Sequence, residues 1–285
     1  MRARSVVHAW ACNTIWVWVE PAWSRSTNGF DVALQDKVAL VTGAGSGLGA
    51  QTVRHLAKAR QMKVVLLDLA ASQAGELAAS LGEQAVFVPV DVTDELDVAH
   101  AVDRACQHWG RLDACINVAG VPGTVRLLNK DGSVPEGDMF ERTLRVNLSG
   151  TFHVMRHCAS AFVRNSPDRG ERGVVVNVAS IAGLEGSRGH VAYSASKAGV
   201  IGMMLPAARE LCEWGIRVVT VAPGMFDTPM LHTISPRTLE KMAASALCPK
   251  RFGDAEEFAS LVAHILENRY INADVLRIDG GARLS

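Results

Sequence analysis

A phenol and an amine stand four residues apart in the segment "YSASK", as Tyr193 and Lys197. On a helix, residues i and i+4 share a face, so these two side chains point the same way. An isolated phenol ionises near pH 10, leaving about a thousandth as phenolate at pH 7; a neighbouring ammonium favours the phenolate and makes the tyrosine a usable acid and base. Lowering that pKa by two to three units corresponds to about 3–4 kcal/mol of differential interaction. Ser180 ends the run "GVVVNVAS" 13 residues earlier and offers a hydroxyl to the same substrate oxygen. A donor, an acid/base and a cation aimed at one carbonyl make a hydride-transfer site once a nicotinamide lies beside them. A Tyr–Lys pair alone more often decorates an exposed helix face, so the reading depends on its surroundings.

The surroundings begin with "VALVTGAGSGLGAQTV", where Gly43, Gly45, Gly47 and Gly49, with Ser46 and Leu48 between them, join a strand pattern to a helix pattern. Glycines there let the backbone turn tightly and approach a pyrophosphate, whose charge meets the free N–H groups of the helix start. Asp68 ends the following strand pattern, 19 residues after Gly49. A carboxylate at that place accepts hydrogen bonds from an adenosine ribose diol and repels a 2′-phosphate, which predicts NAD over NADP. Asp91 and Val92 in "VDVTD" border an adenine ring on this reading. Asn117, Ala119 and Gly120 in "NVAG" bring small residues and backbone near the cofactor.

Elements that place these residues can be read from Lys37 onward. "KVALVTG", "KVVLLDL", "AVFVPVDV", "DACINVAG", "GVVVNVAS", "IRVVTVAPG" and "DVLRIDGG" are apolar, β-branched runs closed by Gly, Asp or Pro. They are continuously apolar rather than alternating, as strands covered on both faces are. Helical patterns lie between them, among them "DMFERTLRVNLSGTFHVMRHCASAFVRN". The order predicts an α/β fold: a Rossmann-like, doubly wound parallel sheet of about seven strands with helices on both faces and ligands at the carboxyl ends. Two long connections, Val121 to Met139 and Met225 to about Pro249, should overhang that edge. Met225, Phe226, Met230 and Leu231 in the second line either a substrate pocket or a small core under a lid.

In this order and spacing, TGAGSGLG, NVAG, Asn147 in "LRVNLSG", Ser180, "YSASK" and "APG" resemble the short-chain dehydrogenase/reductase family, over roughly Leu34 to the C-terminus. The resemblance implies that Tyr193 gives or takes the proton, that Lys197 holds the nicotinamide ribose and lowers the Tyr193 pKa, and that Ser180 orients the substrate oxygen. It also implies that Asn147 supports a water-linked proton relay to Lys197; from the residue type alone, a mid-helix Asn is more often a packing compromise or a local bend. Pro223 and Gly224 would shape the turn beside nicotinamide, with Phe226 close by and Thr228 meeting the carboxamide or phosphates. Longer segments, including "LNKDG", "RGVVVNVASIAGLEG" and "MMLPAARE" with its mid-helix Pro206, resemble the 3-hydroxyacyl-CoA dehydrogenase branch of that family. That implies NAD-linked oxidation of an L-3-hydroxyacyl-CoA, with a free alcohol or hydroxysteroid as the alternative substrate, and a homotetramer. A non-catalytic NAD-binding sensor is the alternative of another class.

The 285 residues carry equal numbers of Lys plus Arg and Asp plus Glu, 29 each, with no basic stripe. That argues against nucleic acid or an anionic membrane as partner and for a small molecule; Arg126, Lys130, Lys250 and Arg251 are candidates for CoA phosphates. Six cysteines form no CxxC or other metal-like spacing, so no metal is expected and a reducing compartment is, cytoplasmic or alternatively the mitochondrial matrix. Residues 1–30 hold four of the six tryptophans and read as a disordered or targeting extension. Its apolar run is too short to span a membrane, and residues 31–285 read as one domain.

Overall fold

Seven strands form one parallel sheet in the order β3-β2-β1-β4-β5-β6-β7. They are β1 Val38–Thr42, β2 Lys63–Asp68, β3 Ala85–Pro89, β4 Ala114–Asn117, β5 Gly173–Val178, β6 Ile216–Pro223 and β7 Val275–Ile278. The computed structural model describes residues 34–229, 231 and 236–284; the extension over residues 1–30 and Met230 lie outside them. Each strand falls on one of the apolar runs named above.

The continuous apolarity of those runs has its reason in the two helix layers. Along β1, Ala39 and Val41 face one layer while Val38 and Leu40 face the other; β2 divides in the same way, Val64 and Leu66 against Val65 and Leu67. The first layer contains α1 (Gly47–Arg60), α2 (Ala74–Leu81) and α8 (Ala255–Glu267), which bring Val53, Leu56, Leu77, Phe258 and Val262 onto the sheet. The second contains α3 (Glu95–Trp109), α5 (Thr151–Val163) and α6 (Val191–Leu211), which bring Val98, Val154, Phe162 and Met204. An alternating strand would leave one of these layers packed on polar side chains, which burial penalises.

Caps fix several helix starts. Asp94 accepts from the N–H groups of Leu96 and Asp97 at the head of α3, and Asp254 and Glu257 form a reciprocal capping box at the head of α8. Ser46, at the head of α1, makes no such side-chain bond, and the first turn of α1 has no acid.

Two differences from the sequence expectation concern long segments. The single helix expected around "TLRVNLSG" is α4 (Met139–Leu144), then a π-helical turn over Arg145–Gly150, then α5. Gly150 explains the tight fit at its end, since a β-carbon there would stand 2.7 Å from the Val92 side chain. Where the sequence predicts only an overhanging connection after β6, a helix α7 forms over Pro236–Ala244. Its first residue is a proline, whose fixed φ suits the first helical position.

Candidate functional site

Because β1 pairs with both β2 and β4, the chain leaving β1 runs towards β2 while the chain leaving the adjacent β4 runs the other way, towards β5. A crevice opens at such a switch point in a doubly wound sheet. Here it is a cavity of about 620 Å³ lined by Gly43, Ser46, Gly47, Leu48, Gly49, Asp68, Asp91, Val92, Ala119, Gly120, Ser180, Tyr193, Lys197, Pro223, Gly224 and Thr228, among others. Sixteen side chains or backbones expected from sequence are thus brought to one place from seven loops and elements.

The glycine loop has little tolerance for a β-carbon. Gly43 has φ +64°, and a β-carbon there would stand 2.9 Å from the Ala119 backbone; one at Gly49 would stand 2.0 Å from the Gly43 carbonyl oxygen. Asp68 is held against this loop: Oδ2 accepts from the Gly45 N–H at 2.7 Å and Oδ1 from the Leu69 N–H at 2.7 Å. Gly45 therefore lies beneath the loop as a support for Asp68, outside the cavity lining. Thr42, which sequence reasoning missed, accepts from the N–H groups of Val118 and Ala119, both at 3.1 Å, and so fixes the end of β4 against β1. The uncapped start of α1 leaves donors facing the crevice, and this set fits a dinucleotide: N–H groups for phosphates, a carboxylate for a ribose diol.

On the opposite wall, Ser180 ends β5 and its oxygen accepts from the Ala182 N–H at 3.1 Å. Its hydroxyl lies close enough to the Tyr193 phenol to pull the phenol pKa downward. Tyr193 and Lys197 share a face of α6, with the ammonium 5.9 Å from the centre of the phenol ring. Lys197 is buried, and Nζ donates to the Val178 carbonyl at 2.8 Å. Burial lowers its pKa to about 8. Burial also pushes the Tyr193 pKa above its ordinary value, against the opposing pull of the Ser180 hydroxyl. The expectation of a depressed tyrosine pKa is therefore reversed in the protein alone, because desolvation of the phenolate outweighs the nearby groups.

Asn147 sits in the π-helical turn with no exposure. Its Oδ1 accepts from the Val121 N–H at 2.8 Å, and its Nδ2 donates to the Val121 carbonyl and to Ser196 Oγ, both at 3.0 Å. Ser196 in turn donates to the Tyr193 carbonyl at 2.7 Å. A β-carbon at Gly120 would stand 3.2 Å from Asn147 Oδ1 and 3.4 Å from Lys197 Nζ, so the two side chains converge on the space that Gly120 leaves. The π-helical turn interrupts the regular helix at Asn147, and the residue faces the same space as Lys197.

Some expected residues lie elsewhere. Asn117 points into the sheet's core and donates to Asn177 Oδ1 at 2.9 Å, the residue opposite it in register. Phe226 packs edge-on against Phe258 with ring centres 6.1 Å apart, and with Met225 it lines a separate cavity of about 110 Å³. Core packing is the better description of Phe226. Arg126, Lys130, Lys250 and Arg251 are exposed and none lines the cleft; Arg251 is held by both carboxylate oxygens of Glu257 at 2.8 Å. In their place Arg142 and Arg145, unremarked in the sequence, line the cleft with Val121, Asp138 and Val146.

Comparison with known proteins agrees with this geometry. The family model described as short chain dehydrogenase matches residues 37–238. The chain is 45% identical over 253 residues to the 3-hydroxyacyl-CoA dehydrogenase type-2 of Drosophila melanogaster, covering 88% of this chain and 99% of that one. It is 44% identical over 249 residues to the Homo sapiens protein of the same name, covering 87% and 95%. A crystal structure of 3-hydroxyacyl-CoA dehydrogenase type-2 from Mycobacterium avium superposes with a TM-score of 0.83 at 42% identity, covering 89% of this chain and 98% of that one. The glycine loop, the Ser–Tyr–Lys wall and these likenesses together place the chain in the short-chain dehydrogenase family, as a nicotinamide-dependent dehydrogenase.

Proposed function

We propose that the chain interconverts an L-3-hydroxyacyl-CoA and the corresponding 3-ketoacyl-CoA, with NAD in preference to NADP. The observation that carries the reading is the convergence of Ser180, Tyr193 and Lys197 on the cleft that the glycine loop and Asp68 also line. Relatives named 3-hydroxyacyl-CoA dehydrogenase type-2, at 41–45% identity over most of the chain, supply the substrate class. Asp68 supports NAD, because a 2′-phosphate beside its carboxylate is repelled.

Gly43 to Gly49 and Asp68 would hold the dinucleotide, which accepts or supplies the hydride. The protein's residues manage the oxygen. Ser180 donates a hydrogen bond to the 3-oxygen, and Tyr193 moves the proton at that same atom. In the reducing direction the neutral phenol is the form required, and burial keeps Tyr193 neutral at pH 7. In the oxidising direction the phenolate is required, so the rate should rise with pH through the alkaline range. Lys197 supplies the positive charge next to the phenol, and Asn147 holds the backbone of Val121 and, through Ser196, the Tyr193 turn. Thr228, with Pro223 and Gly224, closes the wall near the reacting carbon.

The test compares kcat/KM for 3-hydroxybutyryl-CoA and for a free hydroxysteroid, each with NAD and NADP, in the wild type and in Asp68→Ala. The CoA ester and NAD should be preferred, and the variant should lose roughly tenfold of the NAD preference, equivalent to about 1.4 kcal/mol. A higher kcat/KM for the steroid would replace the proposed substrate, and a preference untouched by Asp68→Ala would remove the proposed role of the carboxylate.

Self-association into a homotetramer is proposed on a surface feature. Leu148, Phe152, Gly199, Gly202, Met203 and Pro206 line an open apolar groove between the π-helical turn, α5 and α6, of the kind that marks protein contact sites.

A further inference from the structure

Arg142 and Arg145 are three residues apart on the helical run that leads into the π turn, and with Val146 they form its cleft-facing side. The other side of the run faces inward: Thr143 is buried and Asn147 binds Val121 and Ser196. Several arginines elsewhere meet carboxylates, as Arg60 meets Glu267, Arg217 meets Glu171, Arg251 meets Glu257 and Arg277 meets Asp279, but these lie outside the cleft. Among the described residues, neither the Arg142 nor the Arg145 guanidinium has a hydrogen-bond or ion-pair partner. Like charges at this spacing repel by a few tenths of a kcal/mol, and among the described residues no ion pair to either guanidinium offsets it.

Three carboxylates share the cleft. Asp68 is taken by the Gly45 and Leu69 N–H groups and Asp91 by Thr93. Asp138 lies on the same rim as the arginines, leaving that rim one net positive charge. Arg142 and Arg145 precede Asn147 by five and two residues and line the cleft, and among the described residues neither guanidinium is hydrogen-bonded to Ser180, Tyr193 or Lys197. The pair is thus free to meet a part of a ligand other than the reacting carbonyl. Planar guanidinium forks match phosphate oxygens in pairs.

We propose that Arg142 and Arg145 form an organic-phosphate subsite on the cleft rim, which receives the nucleotide phosphates of the acyl carrier. This rests on the substrate reading above. The same chemistry is available from a phosphorylated cofactor, so the test separates the two sources.

The experiment uses the full chain, Arg142→Gln/Arg145→Gln, each single variant and Arg145→Lys, with thermal unfolding to confirm folding. Binding of free CoA, dephospho-CoA, NADH and NADPH is measured directly by calorimetry at two salt concentrations. KM is measured for acetoacetyl-CoA and for acetoacetyl-N-acetylcysteamine, a thioester without phosphates. In the double variant, CoA affinity should fall by roughly tenfold or more, and KM should rise by a similar factor more for the CoA ester than for the phosphate-free thioester. Arg145→Lys should retain part of the affinity. A loss confined to NADPH would keep the subsite and assign its phosphate to the cofactor. CoA binding that depends on the pair, in a wild type that does not turn over acetoacetyl-CoA, would keep the subsite and remove the substrate reading. Unchanged binding of CoA and both dinucleotides would overturn the proposal.

Discussion

Lys197 is 4% exposed, and its ammonium makes one hydrogen bond, to the Val178 carbonyl. Lowering its pKa from 10.5 to about 8 disfavours the folded state by about 3 kcal/mol at neutral pH, because the unfolded chain keeps the proton more readily. The sign fixes the window: below pH 8 the penalty is fully present, and it fades as pH rises from 8 towards 10.5. Relative to Lys197→Met, which has no such titration, the wild type should gain stability across that interval, measured as the difference in urea unfolding free energy at pH 7 and pH 10. A difference independent of pH would show that the amine is not desolvated. The i,i+4 relation of Tyr193 and Lys197 was legible from spacing, whereas the raised Tyr193 pKa was not, because burial depends on the opposite wall. Asn117 was misplaced for a related reason: the sequence marks a strand end, but which face its last side chain takes is set by the register with Asn177.

At the scale of elements, the π-helical turn does the positioning. One extra residue per turn rotates the faces of α4 relative to α5, so Arg142 and Arg145 look into the cleft while Asn147 reaches the Val121 backbone. Such turns occur often at functional sites. A uniform 3.6-residue period, the only signal available from sequence, gives the helix but not this rotation, which is why the arginines went unread. Asn147→Ala leaves the Val121 N–H and carbonyl without their partner, and the variant should lose about 2 kcal/mol or more of stability. Activity should fall further than that loss explains, since the Tyr193 turn is held through Ser196. Asn147→Asp keeps the acceptor to the Val121 N–H but not the donor, so it should be intermediate in urea unfolding; a variant as stable as the wild type would refute the account of this turn.

For the whole molecule, the doubly wound parallel sheet was legible in the alternation of strand and helix patterns, whereas the strand order is seen only in the structure, and the cleft follows from the reversal at β1. Association with other copies was implied only by resemblance. The apolar groove over Phe152, Gly199, Gly202 and Pro206 gives it a surface. Gly202 has open space around the position a β-carbon would take, so Gly202→Lys should fold normally, yet, on the proposal of a homotetramer built on this groove, its mass by light scattering should fall below that of the wild type. An unchanged mass would place any assembly on another face.

The central claim is that Tyr193 moves the proton of a 3-ketoacyl-CoA reduced by NADH in this cleft. Its most direct test is the loss of NADH absorbance with acetoacetyl-CoA in the wild type and in Tyr193→Phe. Turnover that falls by roughly 10²–10⁴ in the variant, while NADH binding is retained, is the predicted result. A Tyr193→Phe enzyme as fast as the wild type, or a wild type that binds NADH and leaves acetoacetyl-CoA unreduced, would contradict it.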